Sequence, residues 1–313
     1  MMNELFEAKI PSPIQEINLP LLNEKNISLF IKRDDLIHPL VSGNKWRKLK
    51  YNIAFAKSES FETIVTFGGA FSNHIYAVAA ACHGVGVKSV GFIRGDIDPY
   101  NPTLQFCTKM GMHLCPMRRL EFRLKEKSAD VISILGQYPN AYVLPEGGTN
   151  ELAIKGVSEM VQEIGTQDYE IFDFMVLAGG TGGTAAGLLH SDKLKSKILV
   201  FSALKSDFLK DQIVQLAKEK NKVKLFVNTD YHFGGYAKYN QELLSFISKF
   251  RMDTNIPLDH VYTGKAMFGL LDLIAKDYFT VDTKILFVHT GGLQGLAGLD
   301  YMQSKKRSNS KLG

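Results

Sequence analysis

Apolar residues along this chain gather into short β-rich runs, separated by longer stretches with helical spacing. ISLFIKRDD (27–35), TIVTF (63–67), KSVGFI (88–93), AYVL (141–144), DFMVLA (173–178), KILVFSA (197–203) and KILFVHT (284–290) predict strands. Between them, Trp46, Leu49 and Ile53 recur at helical intervals, as do Leu243, Leu244, Ile247 and Phe250. Apolar runs alternating with helices predict α/β layers on mainly parallel sheets. The stretch 118–139 reads as one charged, solvated surface helix, and the polar, basic tail 304–313 as a mobile end.

Length adds a second lobe to this picture. At 313 residues, 45% of them hydrophobic, the chain exceeds the roughly 250–300 residues at which one core stops growing. The net charge of +5 is spread along the chain without a basic arm, and the basic tail lacks interleaved aromatics, so no nucleic-acid partner is expected. No apolar run approaches the roughly 18 residues that span a bilayer, and the N-terminus lacks the order of a signal peptide. Cys82, Cys107 and Cys115 form neither a CxxC pair nor a metal-ligand spacing. The expectation is a soluble, cytoplasmic protein with no membrane partner and no metal.

In parallel α/β sheets ligands sit beyond the C-terminal strand ends, and the loops there are unusual. GGAFSNH (68–74) reads as an anion cradle at a helix start, or equally as a plain cap by Ser72 and Asn73. GGTGGT (179–184) is the strongest signal, because its glycines let backbone N–H groups approach a phosphate closely while Thr181 and Thr184 add hydroxyls. It lacks the lysine of a nucleoside-triphosphate loop, and Ser202-Ala203-Leu204-Lys205 stands where a dinucleotide site needs an acid. PEGGTN (145–150) and HTGGLQG (289–295) are further Gly-Gly loops at strand ends. A phosphate cradle without nucleotide or metal chemistry suggests a phosphorylated organic cofactor, and pyridoxal phosphate would require a lysine.

SGNKWRKLK (42–50) offers several lysines where a helix opens and its dipole is already positive. A Schiff-base lysine must lose its proton, which burial and nearby cations both favour. Arg47 and Lys48 would supply the second effect. By sequence alone Lys45, Lys48 or Lys50 could qualify, with Lys45 favoured for lying nearest the Gly-Asn turn. Arg47, Lys48 and Lys50 otherwise read as solvated cations.

SGNKWRKLK, GGAFSNH, PEGGTN, AGGTGGTAAGL, VYTGKAM and HTGGLQGL, in this order across nearly the whole chain, resemble the D-cysteine desulfhydrase and 1-aminocyclopropane-1-carboxylate deaminase family of fold-type II pyridoxal-phosphate enzymes. The resemblance implies a tryptophan synthase β-like fold: residues 1–51 plus 151–313 form a large domain, 52–150 a smaller inserted α/β domain, with the cofactor between two open, mainly parallel sheets. It implies that Lys45 carries the cofactor and later takes the substrate Cα proton, with Asn44 beside it. Asn73 would bond the ring hydroxyl, and Ser72, Asn73 and His74 the substrate carboxylate. Gly180, Thr181, Gly182, Gly183 and Thr184 would hold the phosphate. Tyr262 would lie against the ring, with Thr263 and Thr290 near its nitrogen, and Tyr236 in FGGYAK would be a second active-site tyrosine. A homodimer is usual in the family.

Within it, the cyclopropane-opening deaminases carry a glutamate directly after the ring-stacking tyrosine, whereas this chain has Thr263. Neutral hydroxyls near the ring nitrogen suit a reaction in which a good leaving group departs soon after Cα deprotonation. The expectation is α,β-elimination from D-cysteine or a similar small D-amino acid. The alternatives are cyclopropane-carboxylate deamination, giving 2-oxobutyrate, and an idle anion-binding protein that uses the 179–184 loop alone.

Overall fold

The apolar runs fold into two sheets in the computed structural model, which describes residues 7–167, 169, 171–205 and 208–310. In chain order the strands are β1 (Ile14–Ile17), β2 (Ser28–Lys32), β3 (Thr63–Gly69), β4 (Lys88–Arg94), β5 (Met112–Met117), β6 (Ala141–Leu144), β7 (Phe174–Gly179), β8 (Lys197–Ser202), β9 (Leu225–Asn228) and β10 (Lys284–Val288). The six-stranded sheet runs β1-β2-β10-β7-β8-β9 and the four-stranded sheet β5-β4-β3-β6. All pairings are parallel except β1 with β2. Parallel strands need crossover helices that cover both faces, which is why the central strands read as unbroken apolar runs.

On the large sheet, Met175, Leu177, Ile198 and Val200 bury one face against the helices Glu151–Ile164 and Gly183–His190. Val176, Leu199 and Phe201 bury the other against Thr263–Ala275 and Gln241–Thr254. Each fully buried aliphatic side chain there contributes about 1.5–3 kcal/mol. On the small sheet, the stacked rings of Phe67 and Phe92, 5.3 Å apart, cover Phe122 and Val131 on one side. Ile64 and Ile93 face the helix Asn73–Val85 on the other.

The helix Asn44–Ser58 sets the site. It starts at Gly43, whose φ of +64° and contact with the Thr290 backbone both demand glycine: a Cβ there would stand 2.0 Å from the Thr290 carbonyl oxygen. It packs closely on Glu151–Ile164, where a Cβ on Gly156 would lie 2.1 Å from the Arg47 carbonyl oxygen. The boundary expected at 52 falls inside this continuous helix, which also meets Asn73–Val85. The four-stranded sheet lies between Thr63 and Leu144.

Several expectations are corrected. The stretch 118–139 is not one solvated helix: Arg119–Leu124 and Ala129–Leu135 are separated at Lys125 (φ +51°), and Phe122 and Val131 are buried. The tail is helical through Ser310, in the helix Gly295–Ser310, which packs on Pro102–Lys109. Tyr301 Oη donates to Asp98 (2.6 Å) and Lys305 pairs with it (2.8 Å); residues 311–313 lie outside the described residues. The strand expected at 27–35 stops at Lys32, because Asp34–Leu36 turn as a 3₁₀ helix. Among the described residues no helix is long and apolar enough to cross a membrane, and no cluster of His, Cys, Asp and Glu could hold a metal.

Candidate active site

The four Gly-Gly loops lie at the C-terminal ends of β3, β6, β7 and β10, two from each sheet. Between them is a cavity of about 420 Å³, within the size range of small-molecule sites.

The loop after β7 forms one wall, where the helix Gly183–His190 begins. Gly182 has a φ of +74°, and a Cβ on Gly180 would come within 3.0 Å of the Tyr262 ring. A Cβ on Gly183 would stand 2.5 Å from Thr149 Oγ1 and 2.8 Å from Lys48 Nζ. Thr181 and Thr149 share a hydroxyl contact of 3.2 Å. Thr184 Oγ1 accepts from Asn44 Nδ2 (2.9 Å), and Asn44 Oδ1 accepts from Lys45 Nζ (3.2 Å). Asn44 thus ties the lysine to the cradle.

The cations of SGNKWRKLK have four different environments. Lys45 is half-buried on the cavity wall, and burial pushes its amine down to about 8. Arg47 is buried in the core: Nε and Nη2 donate to Asp34 (2.6 and 2.8 Å) and Nη1 to Glu163 (2.8 Å). Two carboxylates therefore neutralise it. The expectation that Arg47 would lower the Lys45 pKa from a solvated position is corrected, and burial is the cause instead. Lys48 is also buried, lines the cavity, and donates to Gly147 O (3.1 Å) and Thr149 Oγ1 (2.9 Å). Burial, and then the Lys45 charge, holds its pKa well below the ordinary value. Lys50 pairs with Glu159 of the neighbouring helix.

At the start of Asn73–Val85, Ser72 Oγ accepts from the N–H groups of His74 (3.2 Å) and Ile75 (3.3 Å). The capping reading of this loop therefore holds, yet the hydroxyl keeps its own proton to donate into the cavity that Ser72 and Asn73 line. His74 also lines the cavity. Thr66 Oγ1 gives its proton to Leu144 O (2.8 Å) and so accepts from His74 Nε2 (2.8 Å), which leaves His74 Nδ1 as an acceptor. Burial, with Lys45 and Lys48 nearby, keeps this ring neutral, its pKa well below the ordinary value.

The far wall carries the tyrosines. Tyr262 and Tyr236 line the cavity with ring centroids 6.2 Å apart and hydroxyls hydrogen-bonded, and burial raises both pKa values. Thr290 also lines it. Thr263, expected beside it, is not brought to the wall. It is fully buried, donating from Oγ1 to Asp259 Oδ1 (2.6 Å) and accepting from Asp259 N (2.9 Å). Asp259 also accepts from the N–H groups of Val261, Tyr262 and Thr263, each at 2.8 Å.

Sequence reasoning offered Lys48 only as an alternative Schiff-base lysine or a solvated cation, not as a buried wall residue beside Lys45, and it missed Arg94, at the end of β4. The signal for Lys48 was its helical spacing of three from Lys45, which puts both on one face. Glu146, in the PEGGTN loop, lines the cavity and pairs with Lys125 (2.7 Å).

A phosphate suits the glycine cradle, where side chains would fill the space, together with the buried ammonium of Lys48. An aldehyde suits Lys45, and an aromatic ring suits Tyr262. Two parallel sheets with their C-terminal edges facing, a depressed lysine and an anion cradle define a fold-type II pyridoxal-phosphate enzyme. The comparisons agree with this class. Residues 6–291 match the family described as pyridoxal-phosphate dependent enzyme, and the chain belongs to that family.

The chain is 35% identical to the mitochondrial bifunctional D-cysteine desulfhydrase/1-aminocyclopropane-1-carboxylate deaminase of Arabidopsis thaliana, over 92% of this chain and 78% of that protein. It is 29% identical to a D-cysteine desulfhydrase of Klebsiella pneumoniae, over 91% and 93%. A crystal structure described as an ACC deaminase homologue superposes with a TM-score of 0.79 at 30% identity, covering 94% of this chain and 95% of that one.

Proposed function

We propose that this enzyme is a D-cysteine desulfhydrase-like lyase that converts D-cysteine, or a similar small D-amino acid, to pyruvate, ammonia and hydrogen sulfide. The observation that carries the reading is the Lys45–Asn44–Thr184 chain, which links a depressed amine to the anion cradle. Bound through its aldehyde to Lys45, pyridoxal phosphate supplies an electron sink for the negative charge that develops at Cα.

The phosphate would be held by Gly180, Thr181, Gly182, Gly183 and Thr184, with Lys48 behind them. Ser72 and Asn73 would orient the substrate carboxylate, and the neutral His74 beside them adds no competing charge. The Lys45 amine would take the Cα proton, for which a pKa of about 8 suits it near neutral pH. Tyr262 would support the ring, and the Tyr236 hydroxyl would face the departing group.

Elimination is favoured over cyclopropane opening by the surroundings of residue 263. Thr263 and Asp259 satisfy one another, so residue 263 brings no carboxylate to this wall; the Asp259 carboxylate holds the helix start behind it, and its charge is felt by Tyr236 and Tyr262. Thr290 would then be the polar neighbour of the ring nitrogen. The reading extends to a homodimer, for which the support is family usage, and to a cytoplasmic location, for which the support is three buried cysteines without disulfides.

The deciding experiment supplies D-cysteine, L-cysteine, β-chloro-D-alanine, D-serine and the cyclopropane amino acid to purified enzyme and identifies the keto acid. Pyruvate and sulfide from D-cysteine are expected. 2-Oxobutyrate as the main product would replace the reading with the deaminase.

A further inference from the structure

Among the described residues that line the cleft, the cations are Lys45, Lys48 and Arg94, and the acid is Glu146. Lys45 and Lys48 are accounted for by an aldehyde and a phosphate. Glu146 is paired with Lys125 at 2.7 Å, which leaves Arg94 without an ion pair among the described residues.

Its position is specific. Arg94 ends β4, at the C-terminal edge of the small sheet, and its guanidinium lies over the Phe122 ring, 5.7 Å from the centroid. A Cβ on Gly69 would stand 3.5 Å from Nη2, so this edge of the guanidinium borders the loop that leads to Ser72. Arg94 is exposed, as is Tyr236 (43%) across the opening, whose hydroxyl feels the Arg94 charge. Both mark the mouth of the cleft rather than its floor.

Resting on the lyase reading above, we propose that Arg94 binds a negative group at the far end of the substrate's β-substituent. The cleft then takes α-amino acids with an anionic leaving group, of the phosphate monoester type. In that reaction the Cα–H bond breaks as its proton passes to the Lys45 amine. Its electron pair forms the Cα–Cβ double bond, and the Cβ–O bond breaks with its pair leaving on phosphate. The 2-aminoacrylate released takes up one water to give pyruvate and ammonia. A guanidinium donates two parallel hydrogen bonds to such a group and offsets the charge that grows on it.

The test uses holoenzyme with O-phospho-D-serine and β-chloro-D-alanine, whose leaving chloride carries no anionic group in the ground state. The readouts are pyruvate release and the substrate-dependent change in visible absorbance. In R94Q the ratio of kcat/KM for the phosphate ester to that for the chloride should fall about 10- to 100-fold, and R94K should restore part of it. An unchanged ratio, including an equal loss on both substrates, would overturn the proposal, because Arg94 would then be idle or would hold the α-carboxylate. So would a wild type that neither consumes the phosphate ester nor responds to it. If the wild type lacks visible absorbance altogether, the lyase reading itself has failed, which is a distinct result.

Discussion

Arg47 and Lys48 are neighbours on one helix and both are almost fully buried, yet their charges meet opposite fates. Arg47 faces the core and finds two carboxylates, Asp34 and Glu163, which Lys32 and Ser12 also join. Lys48 faces the cleft and finds a carbonyl and a hydroxyl, but no counter-charge. Burial opposes both charges. Carboxylates reverse that opposition for Arg47, whereas nothing reverses it for Lys48 or Lys45. The first arrangement makes a fold, and the second holds amines in an unfavourable state that a bound anion or aldehyde relieves.

The sharpest break in this comparison is at Lys45. Lys45→Ala should remove the visible absorbance of the bound cofactor and lower turnover by ~1,000-fold or more, while the chain stays folded. Cofactor uptake by stripped enzyme should accelerate with pH around a midpoint of about 8, because the amine must be unprotonated to attack. A midpoint near 10.5 would show that burial does not depress the amine.

On the core face, Glu163→Gln should cost about 3–5 kcal/mol of stability, read from the urea midpoint, because Arg47 and Lys32 would be left buried with too little negative charge. The pH dependence follows from the same pairing. Burial would raise the Glu163 pKa, but Arg47 and Lys32 hold it at about 2, against an ordinary 4.5. Between those values the unfolded chain binds more protons than the native one. Glu163 thus stabilises the fold fully above about 4.5, and the contribution disappears as pH falls towards 2. In E163Q that acid-dependent component should be missing.

Which residues fall on which face was only partly legible in the sequence. Lys45 and the glycine loops were readable because each motif is local, with the lysine, its turn and its spacing in one stretch. The partners of Lys48 lie 99 and 101 residues away, and the Glu163 partner of Arg47 lies 116 away, so burial of these cations depends on tertiary packing. The strands divide in the same way. Those in sheet centres are apolar on both faces and were readable. β1, β5 and β9 were missed, and each is an edge: β1 and β9 have four residues each, and β5 carries Pro116 and polar positions. Thr263 does not line the cavity, and its hydroxyl is taken by Asp259, one turn earlier, a local bond that family position does not reveal.

Lys48→Met sharpens the contrast with Glu163. Removing an uncompensated buried charge should leave the stability of the stripped enzyme unchanged or raise it by about 1 kcal/mol. Affinity for pyridoxal phosphate, read by titrating the absorbance, should fall about 10- to 100-fold, the worth of a hydrogen bond to a charged group. A loss of stability comparable to that of E163Q would show that Lys48 is structural and that the two faces do not differ.

The smallest expected effect is at Lys265, which combines both patterns. It is buried, its amine lowered to about 8 by burial against the opposing pull of Asp259, and it donates to the carbonyls of His232 and Gly235, each at 2.8 Å. Those carbonyls belong to a loop that needs glycines at φ of +90° and +110°, Gly234 and Gly235, and that delivers Tyr236 to the cleft mouth. Lys265→Met keeps the length of the side chain but leaves both carbonyls without their donor. The loop then loses its anchor, while Lys45 and the cradle keep theirs. KM should rise about 2- to 10-fold, as expected for one to two net hydrogen bonds, with the visible absorbance retained. Loss of that absorbance in K265M would place Lys265 with the cofactor-holding residues and not with the loop that carries Tyr236.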